Sequence, residues 1–182
     1  MNLTMDIKSA QHDVQSTFLR GSVGQAVSGL IWLVSAILGT WINERSAILA
    51  LVLAGMFIFP LTQLALRLLG HAGSLPKGHP MNPLAMQVAF IVPLCLPVIG
   101  AASLYNQNWF YPAFMLIVGV HYMPFIFLYG MWEFAVLAGV LIFGSVGIGM
   151  FLSDTFAVGG WFTAIALLAF ALWVRISSKF SK

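Results

Sequence analysis

Six apolar stretches, each about the length of a bilayer-crossing helix and almost free of charge, govern what this chain can become. They run over residues 22–42, 46–69, 84–105, 109–129, 131–152 and 156–176. A helix needs about 20 apolar residues to cross the hydrocarbon core, so each stretch is a candidate span. Most breaks are short and polar: Asn43, Glu44 and Arg45 after the first stretch, Asn106, Gln107 and Asn108 after the third, Ser153, Asp154 and Thr155 after the fifth. The second and third are joined by a longer segment, 70–83, rich in Gly, Pro and His. The faintest break lies at 129–133, where Gly130 and Glu133 supply the signal.

Composition agrees. The 182 residues are 60% hydrophobic and 7% charged, against about a quarter charged in a soluble domain. Such a surface suits lipid. Lipid leaves every backbone polar group to be satisfied internally, which favours helices. The expected fold is therefore all-α: a polytopic transmembrane bundle of six spans over 22–176, preceded by an amphipathic helix over 1–21 and followed by a short basic tail over 177–182. The partner this composition implies is the bilayer. The net charge of +3 is explained by membrane topology, so a nucleic-acid partner is excluded. Cys95 is the single cysteine; it has no internal disulfide partner and reads as a small buried hydrophobe. The first twenty residues lack the apolar core of a cleavable signal, which leaves targeting to the first span.

Lys and Arg set the orientation. With the N-terminus inside, the inner segments hold Lys8, Arg20, Arg67, Lys77, Arg175, Lys179 and Lys182, and the outer ones Arg45. Seven against one is the bias of cytoplasmic loops, and an odd number of spans would destroy it. Both termini are thus expected in the cytoplasm. Trp41, Tyr105, Trp109, Tyr111 and Trp161 would mark the outer interface, and Tyr129, Trp132 and Trp173 the inner one. Near the N-terminus, Leu3, Ile7, Ala10, Val14 and Phe18 recur at helical spacing. They describe an amphipathic helix on the inner face, or an arm that gates or docks a partner.

Proline and glycine interrupt the pattern. Pro60 falls in the second span, Pro93 and Pro97 in the third, Pro112 and Pro124 in the fourth. Such kinks line a substrate path in some transporters, or are ordinary packing features. Phe59-Pro60-Leu61 and Met123-Pro124-Phe125 sit at similar depth in the second and fourth spans, a faint internal echo. Gly139, Gly144, Ser145, Gly147 and Gly149 give the fifth span small faces where another helix can approach closely, within the bundle or in a homo-oligomer.

Few groups can carry chemistry. His121 lies deep in the fourth span, one turn before Pro124, where a polar side chain is costly and usually turned inward. It is either a cavity-lining group or a structural imidazole bonded to a neighbour. Gln63, Tyr122 and Trp32 are the other candidate lining residues. Arg67 at the inner end of the second span is paired in expectation with Glu133. Asn82 and Pro83 suit the start of the third helix. His71 and His79 stand eight apart without further donors, so no metal site is expected. No phosphate loop, HExxH, CxxC or GxSxG motif appears, and no catalytic or cofactor-binding set is assigned.

Ile31-Trp32-Leu33, Phe59-Pro60, Asn82-Pro83-Leu84 and the stretch from Gly119 through His121 and Pro124 to Leu128-Tyr129 together resemble a group of small bacterial multi-pass membrane proteins of unknown function. The Gly-x-His-x-x-Pro…Leu-Tyr pattern is the specific part. The resemblance implies a bacterial inner-membrane protein and supplies no activity and no residue roles. The residues leave three functions open. The leading one is a small permease or channel-like protein with a polar cavity near His121 and an unidentified small-molecule ligand. The second is a non-catalytic membrane partner acting through helix association. The third is an intramembrane enzyme on a lipid, which ranks last because His121 is alone at depth.

Overall fold

The computed structural model describes residues 6–152 and 154–180, with side chains as far as Ser177. Leu3, Ser153 and Lys182 lie outside the described residues, as does the Lys179 side chain. Helix α1 (Ile7–Thr17) leads through a 3-10 turn (Leu19–Gly21) into α2 (Ser22–Trp41). Then follow α3 (Glu44–Gly55), α4 (Ile58–Leu68), α5 (Asn82–Tyr105), a second 3-10 turn (Gln107–Trp109), α6 (Phe110–Tyr129), α7 (Glu133–Phe151) and α8 (Val158–Phe180). Every regular element among the described residues is helical. Five helices are long and apolar enough to cross a membrane, and a sixth crossing results if α3 and α4, bent by 59°, count as one span.

Local chemistry explains the ends. The Asn43 side chain accepts from the Ser46 N–H at 2.8 Å and starts α3. The faint break after the fourth span is made by Gly130, whose left-handed φ of 61° few other residues adopt. Its N–H reaches the Phe127 carbonyl, and the Met131 N–H reaches that of Ile126, so a helix ends and reverses within three residues. Helix α5 begins one residue earlier than capping predicts: Asn82 is its first residue, and its side chain donates to the Pro76 carbonyl at 2.9 Å.

Pro60 and Pro124 have different outcomes. Pro60 sits in the first turn of α4 and offers no N–H to the Met56 carbonyl. Before it, the Met56 and Phe57 N–H groups fall back on Leu53 and Ala54, three residues behind, and the helix breaks. Pro124 lies inside a continuous α6. Each proline follows a glycine by five residues, but the glycines differ. Gly119 is clamped by α7, where an added Cβ would stand 3.1 Å from the Ile142 nitrogen and 3.2 Å from the Ala138 oxygen. Gly55 has nothing within 4 Å, so no neighbouring helix opposes a bend there.

Helix packing is uneven. Helices α2, α8, α7 and α6 pack in sequence around a core of Trp32, Phe110, Tyr111, Phe114 and Phe134. Helices α3 and α4 lean on α2, and α5 leans on α6. Among the described residues α5 makes no comparable approach to α3 or α4, which leaves a gap between these two walls. Tyr111 and Tyr129, at the two ends of α6, are buried against neighbouring helices. Ser35 Oγ donates to the Ala47 carbonyl at 2.8 Å, so the Tyr111 hydroxyl, 2.6 Å away, donates to Ser35. Trp41, Tyr105 and Trp132 are well exposed.

Helix α1 is docked against the bundle. Ala10 and Val14 are buried, while the Gln11 and Gln15 side-chain amides donate to the Phe127 and Tyr129 carbonyls, each at 2.6 Å. The Tyr129 carbonyl is one of those that the end of a helix leaves free, while the Phe127 carbonyl accepts from the Gly130 N–H as well as from Gln11.

Candidate functional site

The gap between the walls opens onto a cavity of about 310 Å³ enclosed by α2, the α3–α4 bend, α5 and α6. On α2 its lining is Gly24, Gln25, Ser28 and Trp32, with Gly21 just before the helix; Gln25, Ser28 and Trp32 are spaced by three or four residues and hence share one helix face. On α6 it includes Phe114, Val118, His121, Tyr122, Phe125 and Tyr129, a stripe about 22 Å long at 1.5 Å per residue. The bend contributes Gly55, Met56, Ile58, Phe59, Thr62 and Gln63, and α5 contributes residues from Ala85 to Leu96.

All four residues singled out from the sequence, His121, Gln63, Tyr122 and Trp32, line this one cavity. Trp32 is 1% exposed and packs edge-on to Phe114, ring centres 5.2 Å apart. The Tyr122 hydroxyl donates to Gln25 Oε1 at 2.6 Å, a buried bond that fixes the Tyr122 ring against α2. The His121 ring lies 5.0 Å from that of Phe125 and 5.4 Å from that of Tyr122. Its Nδ1 is buried with no hydrogen-bond partner, and so is Thr62 Oγ1.

Gln25, Ser28 and Thr62 were missed by sequence reasoning. For Gln25 the signal was present, since a carboxamide stands out in a mostly apolar helix. The polar groups together offer hydrogen bonds of both senses. The lining contains no Asp, Glu, Lys or Arg, and no group of three or more His, Cys, Asp or Glu able to hold a metal occurs among the described residues. The arrangement is suited to binding.

The ion pair differs from expectation. Glu133 Oε1 is 3.1 Å from Arg20 Nη2, and Arg67 is exposed on α4, a helix that packs on α2. Glu133 opens α7 beside the 3-10 turn that carries Arg20, and proximity there decides the pairing. Leu19 and Arg20 have left-handed φ of 49° and 56°, a conformation that costs on the order of 1–3 kcal/mol per residue. The Arg20–Glu133 bond and the Ser22 hydroxyl, which donates to the Leu19 carbonyl at 2.8 Å, hold it. His79 is buried and ties the 69–81 segment to α1: its Nδ1 accepts from the Met81 N–H at 3.2 Å, and its Nε2 stands 3.6 Å from Asp13 Oδ2.

The glycine-rich fifth span packs chiefly inward at Gly144, where a Cβ would meet Phe162 at 2.6 Å and Met115 at 2.7 Å. Gly149 has only an ordinary contact with Pro112, and Gly139 and Gly147 face open space.

No curated protein and no solved structure matches this chain. One family model does, and it runs from the start of α1 to the last turn of α8: over residues 7–177 the chain matches, and so belongs to, the family of unknown function DUF7010.

Proposed function

We propose that this protein is a small permease-like membrane protein whose solute occupies the cavity beside His121. The observation that carries the reading is that two side chains lining one cavity, His121 and Thr62, each hold a buried, unpartnered polar atom, Nδ1 and Oγ1, beside the bent α3–α4 pair. A buried polar atom without a partner costs about 1–3 kcal/mol, and a bound solute or water offsets that cost. A broken span beside a binding site is a recurrent feature of transporters, because its two halves can tilt separately. In this reading α3 and α4 form one span, the protein crosses a bacterial inner membrane six times, and both termini are cytoplasmic. The seven-to-one distribution of Lys and Arg supports that orientation.

The test is a flux screen in proteoliposomes with wild type and His121→Leu. A solute whose uptake depends on the protein and falls in the variant, with the melting curve retained, supports the proposal. Equal uptake by both proteins for every solute that moves, or no protein-dependent uptake at all, overturns it. Reporter fusions at the C-terminus and at Lys77 should read cytoplasmic and one at Asn106 periplasmic; a periplasmic C-terminus sinks the six-span arrangement.

A second reading, a partner protein acting by helix association, draws on Gly139 and Gly147, which present bare backbone on the outward side of α7. A stable homo-oligomer in detergent that Gly147→Leu dissociates would favour it.

A further inference from the structure

The cavity is open on one side, and its exposed lining residues show which. Met56 and Phe59 at the α3–α4 bend, and Ala89 and Pro93 on α5, are the exposed members of the lining, whereas every lining residue from α2 and α6 is buried or half-buried. The opening therefore lies between the bend and α5, the two walls that lack close packing on each other. It faces sideways from the helix bundle, away from the ends of the α3–α4 pair and of α5. Its rim is a methionine, a phenylalanine, an alanine and a proline, side chains that carry no hydrogen-bonding group to guide a hydrated solute.

The interior has two chemistries. Leu51, Val52, Val88, Val92, Leu96 and Val118 make most of the wall apolar. The polar groups form a second set: the Gln25–Tyr122 pair, Ser28, Gln63, and the unpartnered Thr62 Oγ1 and His121 Nδ1. The lining holds no Asp, Glu, Lys or Arg, and Glu133, which opens α7, is already paired with Arg20. An ionised group placed there would lose its hydration without a counter-charge. A hydroxyl or amide would not, since it donates and accepts at once, and a threonine oxygen and a neutral imidazole nitrogen can complement it.

We infer that the cavity binds an uncharged single-chain amphiphile, a long-chain alcohol or amide, that enters from the bilayer between the α3–α4 bend and α5 and bonds its head to Thr62 and His121. The inference rests on the reading of this cavity as a binding site and adds both the class of ligand and its route. The chain of such a ligand lies along the apolar wall and leaves through the rim, so a cavity of about 310 Å³ need hold only its head and the first part of its tail.

The experiment uses the full chain in nanodiscs of phosphatidylcholine, with a dodecanol analogue carrying a diazirine on its chain and an alkyne handle. Irradiation followed by peptide mapping should place adducts on Met56, Phe59, Ala89 or Pro93. Excess dodecanol should compete, and dodecyl phosphate and glycerol should not. Thr62→Val and His121→Leu should each weaken the competition by about tenfold, the size of one hydrogen bond. Ala89→Trp, a substitution at an exposed position, should block labelling while leaving the melting curve and the Gln25–Tyr122 region intact. Labelling spread over outward-facing residues such as Leu104 and Phe143 and unchanged in the variants overturns the inference. So does competition by dodecyl phosphate as strong as by dodecanol. If a water-soluble solute such as glycerol crosses proteoliposomes in a His121-dependent way and the alcohol does not label the rim, the binding-site reading stands and bilayer entry falls. If neither occurs, both fall.

Discussion

Gly119→Ala tests the close approach that keeps α6 straight and sets His121 in place. The new Cβ would lie 2.8 Å from Ile142 Cγ1, 3.1 Å from the Ile142 nitrogen and 3.2 Å from the Ala138 oxygen. Ile142 can rotate its side chain, but the two backbone atoms cannot yield unless α6 and α7 separate by a few tenths of an ångström. Overpacking of this kind costs about 1–3 kcal/mol, and the helix preference of Ala over Gly returns roughly 0.5–1 kcal/mol. The net expectation is a loss of between about zero and 2.5 kcal/mol. Gly139→Ala on α7 is the matched control, since it gains the same helix preference and meets nothing within 4 Å; it should be neutral or stabilising by up to about 1 kcal/mol. Reversible unfolding in mixed micelles with rising dodecyl sulfate reads both. If Gly119→Ala is as stable as Gly139→Ala, the α6–α7 contact does not hold the bundle and the argument fails.

A double-mutant cycle on Arg20→Met and Glu133→Gln should give a coupling of about 0.5–3 kcal/mol, whereas Arg67→Met with Glu133→Gln should give about zero; the reverse ranking would restore Arg67 as the partner. Gly144→Leu should express poorly or melt well below wild type, because even its Cβ would stand 2.6 Å from Phe162, and Gly149→Leu should be far milder; equal melting of the two would refute the packing of α7. Amide exchange in detergent should be faster in α4 and α5, whose buried residues are Leu66 and Val88 with Ile99 respectively, than in α6, with ten; uniform protection across these helices would show that the two walls are not the loose part.

The long apolar helices were legible because apolar length is a one-dimensional property: twenty residues without charge admit few alternatives, and the ends at Asn43 and Gly130 carry their own backbone chemistry. His121, Gln63 and Tyr122 were legible because polar side chains stand out in an apolar run. Ser28 and Thr62 were not, since small hydroxyls are common in membrane helices and commonly bond their own backbone. The Arg67–Glu133 expectation failed for a different reason. Both residues lie near span ends and carry opposite charge, but which ends meet depends on helix order around the bundle. That order puts α7 beside the turn before α2. The left-handed Leu19 and Arg20 had no signal beyond the adjacent Gly21, because side-chain type does not favour that conformation and tertiary bonds impose it. The break at Pro60 was visible as a proline, yet its outcome depended on the empty space around Gly55.

That empty space connects the fold to the proposed site. The four-helix group of α2, α8, α7 and α6 is held by close approaches at Gly29, Gly119, Gly144 and Gly160, where a Cβ would stand 2.6–2.8 Å from the nearest neighbouring side-chain atom. Glycines on the two outer walls are different: Gly55 and Gly100 meet nothing within 4 Å. Each outer wall is therefore supported from one side, by α2 or by α6, and free on the other. The polar residues divide along the same line. Gln25, Ser28 and Tyr122 stand on the tightly held helices and are fixed by packing or by hydrogen bonds, while Thr62 stands on the bent wall with its hydroxyl unpartnered. A ligand that bonds both Thr62 and His121 would join the loosely held wall to the rigid group. Binding would then narrow the opening through which the ligand entered, because the same contact that recognises it draws α4 toward α6.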